Sequence, residues 1–385
     1  MAEIRVENLH KTFGDVVAVR DSTFTVPDGD FFCLLGPSGC GKTTTLRMVA
    51  GLELPTSGRI VLGGDDVTFR PAAQRDIAFV FQLFALYPHM NVFSNIAYPL
   101  RCQGTPRDQV KERVEAAART LRISHLLHRS VSGLSSGDRQ RVALGRAIVR
   151  QPLAFMLDEP LGALDAEMRE VMCGELRALH DRLHATTVYV THDQIEAMSM
   201  ADTIAIMRDG LVEQLGPPQE LYDRPATMFV ADFIGSPPMN FIPFRGSLAP
   251  GDRSLRIGAA VVDVPEAREG SSETELVLGA RPEHVQLSPS AALRAEVVEA
   301  EYLGTTQIVT LSTAQGTRLK ARTRSEIAVR PGESTGLTFR PDKLSIFVKA
   351  SGRALRSALH DRGPREAPPS GGRSEAESKE KAARG

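Results

Sequence analysis

The sequence predicts an α/β core: a mostly parallel sheet with an antiparallel β piece and a helical insertion, followed by an all-β barrel domain. Three observations carry this. Short apolar runs at 31–35, 153–157 and 187–191 alternate with helical segments, as in a parallel sheet covered on both faces. Between the first run and a helix stands Gly36-Pro37-Ser38-Gly39-Cys40-Gly41-Lys42-Thr43, the spacing and context of a phosphate-binding loop. Beyond it, residues 244–349 are short β-like runs separated by Gly, Pro and Asp, with little helix.

Taken in order, residues 4–30 alternate like antiparallel strands, 4–9 and then 16–26, with Phe13-Gly14 in the connection and a turn at Pro27-Asp28-Gly29. The run 44–51 after the loop reads as a helix that stops at Gly51, a plausible C-cap. A β-like piece at 58–64 and a core strand at 77–81, ending at Gln82, follow. From about 86 to 150 the pattern is helical, with Pro106 opening a long charged helix. A further helix after Leu134-Ser135-Ser136-Gly137-Asp138 aligns Leu144, Ala147 and Ile148 on one face. Residues 204–207 before Arg208-Asp209-Gly210 read as a late strand and hairpin. Ser236-Pro237-Pro238 breaks the pattern, and 351–385, poor in large apolar residues, reads as a disordered tail.

A chain of 385 residues implies two or three domains, and 42% apolar with 24% charged residues is ordinary globular composition. Lys and Arg number 46 against 47 Asp and Glu, so there is no electrostatic case for nucleic acid as the main partner. No apolar run approaches the roughly 18–20 residues of a spanning helix, and residues 1–6 enter strand-like alternation without a secretory leader. An intracellular protein that borrows any membrane association from a partner is expected. Cys33, Cys40, Cys102 and Cys173 lack metal-ligand spacing and read as free thiols.

The chemistry concentrates at strand ends. Gly36, Gly39 and Gly41 let backbone N–H groups curl around phosphate oxygens, and the following helix turns its positive dipole end to the same anion. Lys42 is placed to reach the β- and γ-phosphates, and the Thr43 hydroxyl to ligate Mg²⁺. Asp158 closes an apolar strand as a second Mg²⁺ ligand, and Glu159 is placed to polarise an attacking water. Gln82 and His192 close two more strands, so four strand ends converge where ligands of parallel sheets collect.

The motifs together resemble the ATPase subunits of ABC transporters. The likeness spans residues 3–349 and rests on the loop at 36–43, Val80-Phe81-Gln82, the segment 134–143, Met156 to Leu161, Gly162 to Asp165, and Val190 to Asp193. The segments 85–90, 221–225 and 233–241 resemble, more narrowly, the ATPases of carbohydrate and sn-glycerol-3-phosphate importers. Residues 279–284 and 339–344 look like that group's oligonucleotide-fold-like regulatory (TOBE) domain. The resemblance implies a P-loop ATPase domain over 3–235, with its helical insertion at about 86–150, a regulatory domain over 236–350 and a tail at 351–385.

The same likeness implies a head-to-tail homodimer with each ATP between one copy's loop, including Thr44, and the other's Ser135, Ser136 and Gly137. Phe13 would stack on adenine, Asp165 would cross the interface, Gln82 would sense Mg²⁺ and the permeases, and His192 would contact the γ-phosphate. Two transmembrane permeases would dock around residues 82–90 and a solute-binding protein would act indirectly, with the ATPase peripheral on the cytoplasmic side of the plasma membrane. The family's Leu-Ser-Gly-Gly-Gln is here Leu134-Ser135-Ser136-Gly137-Asp138, which adds a Cβ and a negative charge at the helix N-terminus. Phe13 stands where Tyr is commoner and Gly162 where Ser is usual. Two other classes compete: a weakly hydrolysing nucleotide-dependent regulator, motivated by Ser136 and Asp138, and a non-transport ABC ATPase working on nucleic acid or ribosomes, opposed by the near-neutral charge. A P-loop kinase would have no use for the signature helix.

Overall fold

The computed structural model describes residues 2–82, 85–162, 164–272 and 275–361. The chain divides into two compact units, Met1–Ser236 and Pro237–Gly385.

In the first unit the elements run β1 (Ile4–Phe13), β2 (Val16–Val26), β3 (Phe31–Leu35), α1 (Lys42–Ala50), β4 (Ser57–Leu62), β5 (Asp65–Asp66) and β6 (Ile77–Val80). Then come α2 (Val92–Cys102), α3 (Arg107–Thr120), α4 (Ser136–Ile148), β7 (Ala154–Asp158), α5 (Ala166–Leu183) and β8 (Thr186–Thr191). The unit closes with α6 (Gln194–Met200), β9 (Thr203–Arg208), β10 (Leu211–Gly216), α7 (Pro218–Asp223) and α8 (Met228–Phe233). Six strands form one sheet in the order β10-β9-β3-β8-β7-β6, parallel from β9 to β6. Only β10, hairpinned to β9 across Asp209-Gly210, is antiparallel.

Alternation along the central strands explains the layers. Phe31, Cys33, Leu35, Phe155, Leu157 and Tyr189 point into the face packed by α2 to α6. Phe32, Leu34, Met156, Val188 and Val190 point into the opposite face, against α1 and the antiparallel sheet β2-β1-β4-β5. Leu144, Ala147 and Ile148 are buried together on α4. Phe13 is not in a connection: it is the last residue of β1, paired with Val16, so a tight turn at Gly14-Asp15 replaces the longer loop.

The second unit holds β11 (Asn240–Arg245), β12 (Ser254–Ile257), β13 (Ala260–Asp263), β14 (Glu275–Ala280) and β15 (Val285–Leu287). It continues with β16 (Leu293–Tyr302), β17 (Thr306–Thr313), β18 (Arg318–Arg324), β19 (Ser334–Phe339) and β20 (Ser345–Val348). Its sheets, β11-β14-β20, β12-β13 and β15-β19-β16-β17-β18, enclose a core of Ile242, Leu278, Val309, Leu311 and Ile346 among others. Ordered chain continues past residue 350, against the expected start of the tail. Ala354 bridges Phe347, Ser357 bridges Ala267, and Leu355 and Leu359 are buried, so a few apolar anchors outweigh the polar composition. Residues 362–385 of that expected tail lie outside the described residues.

Candidate functional site

The loop joining β3 to α1 is shaped by close backbone approaches. Gly39 and Gly41 have φ of 81° and 101°, where a side chain is strained. At Gly36 a Cβ would stand 2.3 Å from the Met207 carbonyl oxygen and 2.7 Å from Cys40 Sγ. The loop therefore lies flat on the sheet end, with Pro37, Ser38 and Gly39 exposed and Thr44 partly so. Lys42 is buried, its ammonium donating to the carbonyls of Gly36 and Pro37, both at 2.8 Å. Burial pushes the Cys40 thiol up, while the neighbouring Lys42 charge pulls it back.

Beside the loop the Thr43 hydroxyl donates to Asp158 Oδ1 at 3.0 Å. Asp158 ends β7 in register with Val190 of β8. Burial raises its carboxyl above the usual range, opposed mainly by the Thr43 bond. These two hard oxygens suit a divalent cation of the Mg²⁺ type, which takes few protein ligands and completes its shell with phosphate and water. Among the described residues no cluster of three or more His, Cys, Asp or Glu could hold a metal without such help.

Glu159 follows with φ of 43°, an uncommon value for a non-glycine residue. Its N–H donates to Val190 O at 3.0 Å and its carbonyl accepts from Gly162 N at 3.2 Å, which hold the turn. The turn aims Glu159 Oε2 at two groups: Gln82 Nε2, donating at 3.4 Å, and His192 Nδ1 at 3.3 Å. Gln82, Asp158, Glu159 and His192, together with the loop, thus meet at the carboxyl edge of one sheet, as their strand-end positions led us to expect.

Ser135 is the N-cap of α4, accepting the Asp138 N–H at 3.1 Å and donating its hydroxyl to Asp138 Oδ2 at 2.8 Å. Arg141 holds the other Asp138 oxygen at 3.3 Å, so the carboxylate that seemed misplaced in the sequence is neutralised and turned back on its own cap. Ser136 Oγ accepts from Arg139 at 3.4 Å. Asp165 caps α5 by accepting the Met168 N–H at 2.8 Å, and Met168 Sδ would lie 3.5 Å from a Cβ on Gly137. The Ser135–Gly137 turn and the Asp165 turn therefore adjoin through Met168. Phe13 is half-exposed, with the Lys11 ammonium 4.6 Å from its ring.

Two groups were not singled out by the sequence. Arg75 is 1% exposed and, among the described residues, faces carbonyls rather than a carboxylate; it donates to those of Met48, Val49, Thr68 and Arg70. Arg169, Asp193 and Glu196 form a network behind His192, described below. Asp193-Gln194-Ile195-Glu196 has the spacing of a helix-capping pair, and that signal was available. In the segment before α2, the buried Asn95 side chain holds the turn by bonding Tyr87 N and O and Met90 O.

Comparison with known proteins identifies the family. A model of the ABC transporter family matches residues 19–162, a TOBE domain model residues 278–347, and a MalK OB fold domain model residues 235–285. The trehalose/maltose import ATP-binding protein MalK of Thermococcus litoralis is 45% identical over 92% of this chain and 100% of its own length. The sn-glycerol-3-phosphate import ATP-binding protein UgpC of Cereibacter sphaeroides is 44% identical over 92% of this chain and 100% of its own length. Among solved structures, cbiO1 of Clostridium perfringens, part of the ABC transporter complex cbiONQ, superposes with a TM-score of 0.54 at 26% identity, covering 57% of this chain and 90% of that one. The chain belongs to the ABC transporters, as an ATP-binding and ATP-hydrolysing subunit of the importer type.

Proposed function

We propose that this chain powers uptake of a sugar or of sn-glycerol-3-phosphate by closing as a head-to-tail homodimer around two ATP molecules and opening after hydrolysis. One observation carries the chemistry: Glu159 Oε2 is held between Gln82 and His192 beside the Thr43–Asp158 pair. In this reading the loop N–H groups from Gly36 to Thr44 and the Lys42 ammonium hold the phosphates, and Lys42 exchanges its carbonyl partners for phosphate oxygens. Thr43, and Asp158 directly or through water, with Gln82 beside them, would hold a Mg²⁺ ion, which would supply charge neutralisation to the phosphates. Gln82 and His192 fix one Glu159 oxygen, leaving the other to accept the proton of the water that attacks the γ-phosphorus as the bond to the β–γ bridging oxygen breaks. His192 also faces the γ-phosphate. Phe13 stacks on adenine. Ser135, with the N–H groups of Ser136 and Gly137, grips the phosphate of the facing copy, and Asp165 lies across that interface.

Two transmembrane permeases dock around residues 82–90, a solute-binding protein delivers cargo from the far side, and the chain is peripheral on the cytoplasmic face. Among the described residues no helix is long and apolar enough to cross a membrane. The cargo class rests on the relatives named above, of which one is a trehalose/maltose and another an sn-glycerol-3-phosphate importer subunit. Domain limits of 3–235 and 236–350 follow the same reading. The test is Glu159→Gln at saturating Mg-ATP: a stable dimer is expected, and a monomer even beside the permeases would overturn the proposal. Uptake of labelled maltose, trehalose and sn-glycerol-3-phosphate by cells with and without the chain then assigns the cargo.

A further inference from the structure

His192 projects from a short segment that is tethered on both sides. Before it, the Thr191 hydroxyl donates to Glu196 Oε2 at 2.7 Å, and the Tyr189 hydroxyl donates to the same oxygen at 2.7 Å. Tyr189 and Thr191 are two apart on β8 and share one face. After it, the Asp193 N–H donates to Thr191 Oγ1 at 2.9 Å, and Asp193 Oδ1 accepts the N–H groups of Ile195 and Glu196 at 2.7 and 3.2 Å. Glu196 is 3% exposed, and its other carboxylate oxygen lies 3.5 Å from Arg169 Nε.

Arg169 carries the segment outward. One arm of its guanidinium donates to Asp193 Oδ2 at 2.9 Å, the residue after His192. The other donates to the Leu164 carbonyl at 2.9 Å, the residue before Asp165. The contact of Nε with Glu196 is an ion pair rather than an aligned hydrogen bond. A planar fork with two diverging arms and a buried counter-charge spans two turns in fixed geometry; an ammonium on a flexible stem cannot hold both. The Glu196 carboxylate compensates that charge inside the fold, with its own hydroxyl donors in place.

We propose that Arg169 is a positioning residue for hydrolysis. Anchored by Glu196, it locks the His192 segment to the Leu164–Asp165 turn, so that His192 stays within reach of Glu159 Oε2 while Asp165 holds its place. This rests on the role given above to His192. Among the described residues the bonds of Arg169 and Glu196 end on Leu164, Tyr189, Thr191 and Asp193 rather than on residues 36–44, so the network is expected to act on the rate more than on ATP affinity.

The experiment is a double-mutant cycle on the full chain: wild type, Arg169→Ala, His192→Ala and both, with kcat, KM and the dissociation constant for ATP measured together. Arg169→Ala is expected to lower kcat on the order of tenfold with ATP affinity unchanged, the result of a reacting group displaced by a fraction of an ångström to an ångström. In the His192→Ala background the same change is expected to have no further effect, because residues acting as one unit are not additive. Arg169→Lys, which keeps charge and fold but loses the fork, is expected to rescue kcat only partly; it gives the same cycle if Arg169→Ala is unstable by circular dichroism. Two outcomes overturn the proposal while leaving the role of His192 intact: multiplied losses in the double variant, or full activity in both Arg169 variants. If His192→Ala alone leaves the rate unchanged, the role of His192 fails first and this proposal fails with it.

Discussion

Arg75 offers a perturbation whose size follows from its bonds. Its guanidinium donates Nη1 to Met48 O and Val49 O at 2.7 and 2.8 Å, Nη2 to Thr68 O at 3.0 Å and Nε to Arg70 O at 2.7 Å. Met48 and Val49 lie in the last turn of α1, whose terminal carbonyls have no partners within the helix and carry the negative end of its dipole. Arg75 is thus a buried cationic C-cap for the helix that begins with Lys42 and Thr43. Burial lowers its pKa to about 10, which leaves it charged at neutral pH.

Arg75→Met keeps the stem and removes the donors. Met48 O still accepts from Gly51 N at 3.1 Å, so three carbonyls are left without the bond drawn here. At about 1–3 kcal/mol for each of the two buried ones, Val49 O and Thr68 O, less roughly 1 kcal/mol regained from packing the apolar thioether, the loss is about 1–5 kcal/mol. Urea unfolding followed by far-ultraviolet circular dichroism, on a chain that has no tryptophan, measures it. ATP affinity should fall with it, since α1 sets the Lys42 and Thr43 positions. The packing is tight: a Cβ on Gly51, itself at φ 71°, would stand 2.4 Å from Arg75 Nε. Gly51→Ala should therefore cost more in wild type than in the Arg75→Met background. A loss below about 0.5 kcal/mol for Arg75→Met, the scale of ordinary surface changes, would refute the assignment of these bonds as structural.

Three further outcomes are expected. Gly36→Ala, whose Cβ would meet the Met207 carbonyl oxygen at 2.3 Å, should displace the loop and weaken ATP binding on the order of 100-fold, checked by titration calorimetry. Among the described residues one buried carboxylate oxygen of Asp30 meets no hydrogen-bond donor, and burial raises its pKa from 3.8 to about 6. A raised acid favours folding below pH 3.8 and loses that favour as pH rises through about 6, so Asp30→Asn should stabilise the chain at pH 8 and not at pH 4. Partial exposure limits the gain to about 1 kcal/mol, read from denaturation midpoints at the two pH values. Ser136→Gly with Asp138→Gln frees the Ser135 hydroxyl from its 2.8 Å bond to the carboxylate, and should raise ATPase turnover about fivefold, the equivalent of one modest hydrogen bond; an unchanged or lower rate would sink that account.

What could be read from the sequence was what short-range backbone chemistry dictates. The loop from Gly36 to Thr43 was legible because its glycines answer a local demand: φ of 81° and 101° at Gly39 and Gly41, and no room for a side chain at Gly36. Asp158, Gln82 and His192 were legible because parallel register turns a position at the end of an apolar strand, or one or two residues past it, into nearness in space. The apolar anchors Leu355 and Leu359 failed to register because two buried leucines in a polar stretch do not shift its composition, although they are enough to seat it. Arg75 was invisible for a related reason: a lone arginine in a turn looks like solvated surface until four carbonyls are seen to converge on it.

The Asp193–Glu196 pair is the more instructive miss. Its spacing announces a helix cap, and Asp193 does cap α6. Glu196, however, turns away from the cap to two hydroxyls of β8 and the charge of Arg169. The local motif announces the cap and no more, while the same carboxylate is recruited by partners brought to it only by the sheet. Groups that touch phosphate announce themselves in one dimension, because strand ends and tight loops are one-dimensional features. Groups that hold those groups in place are specified by packing between elements, and there a wrong side chain is detected by its effect on rate rather than by its pattern.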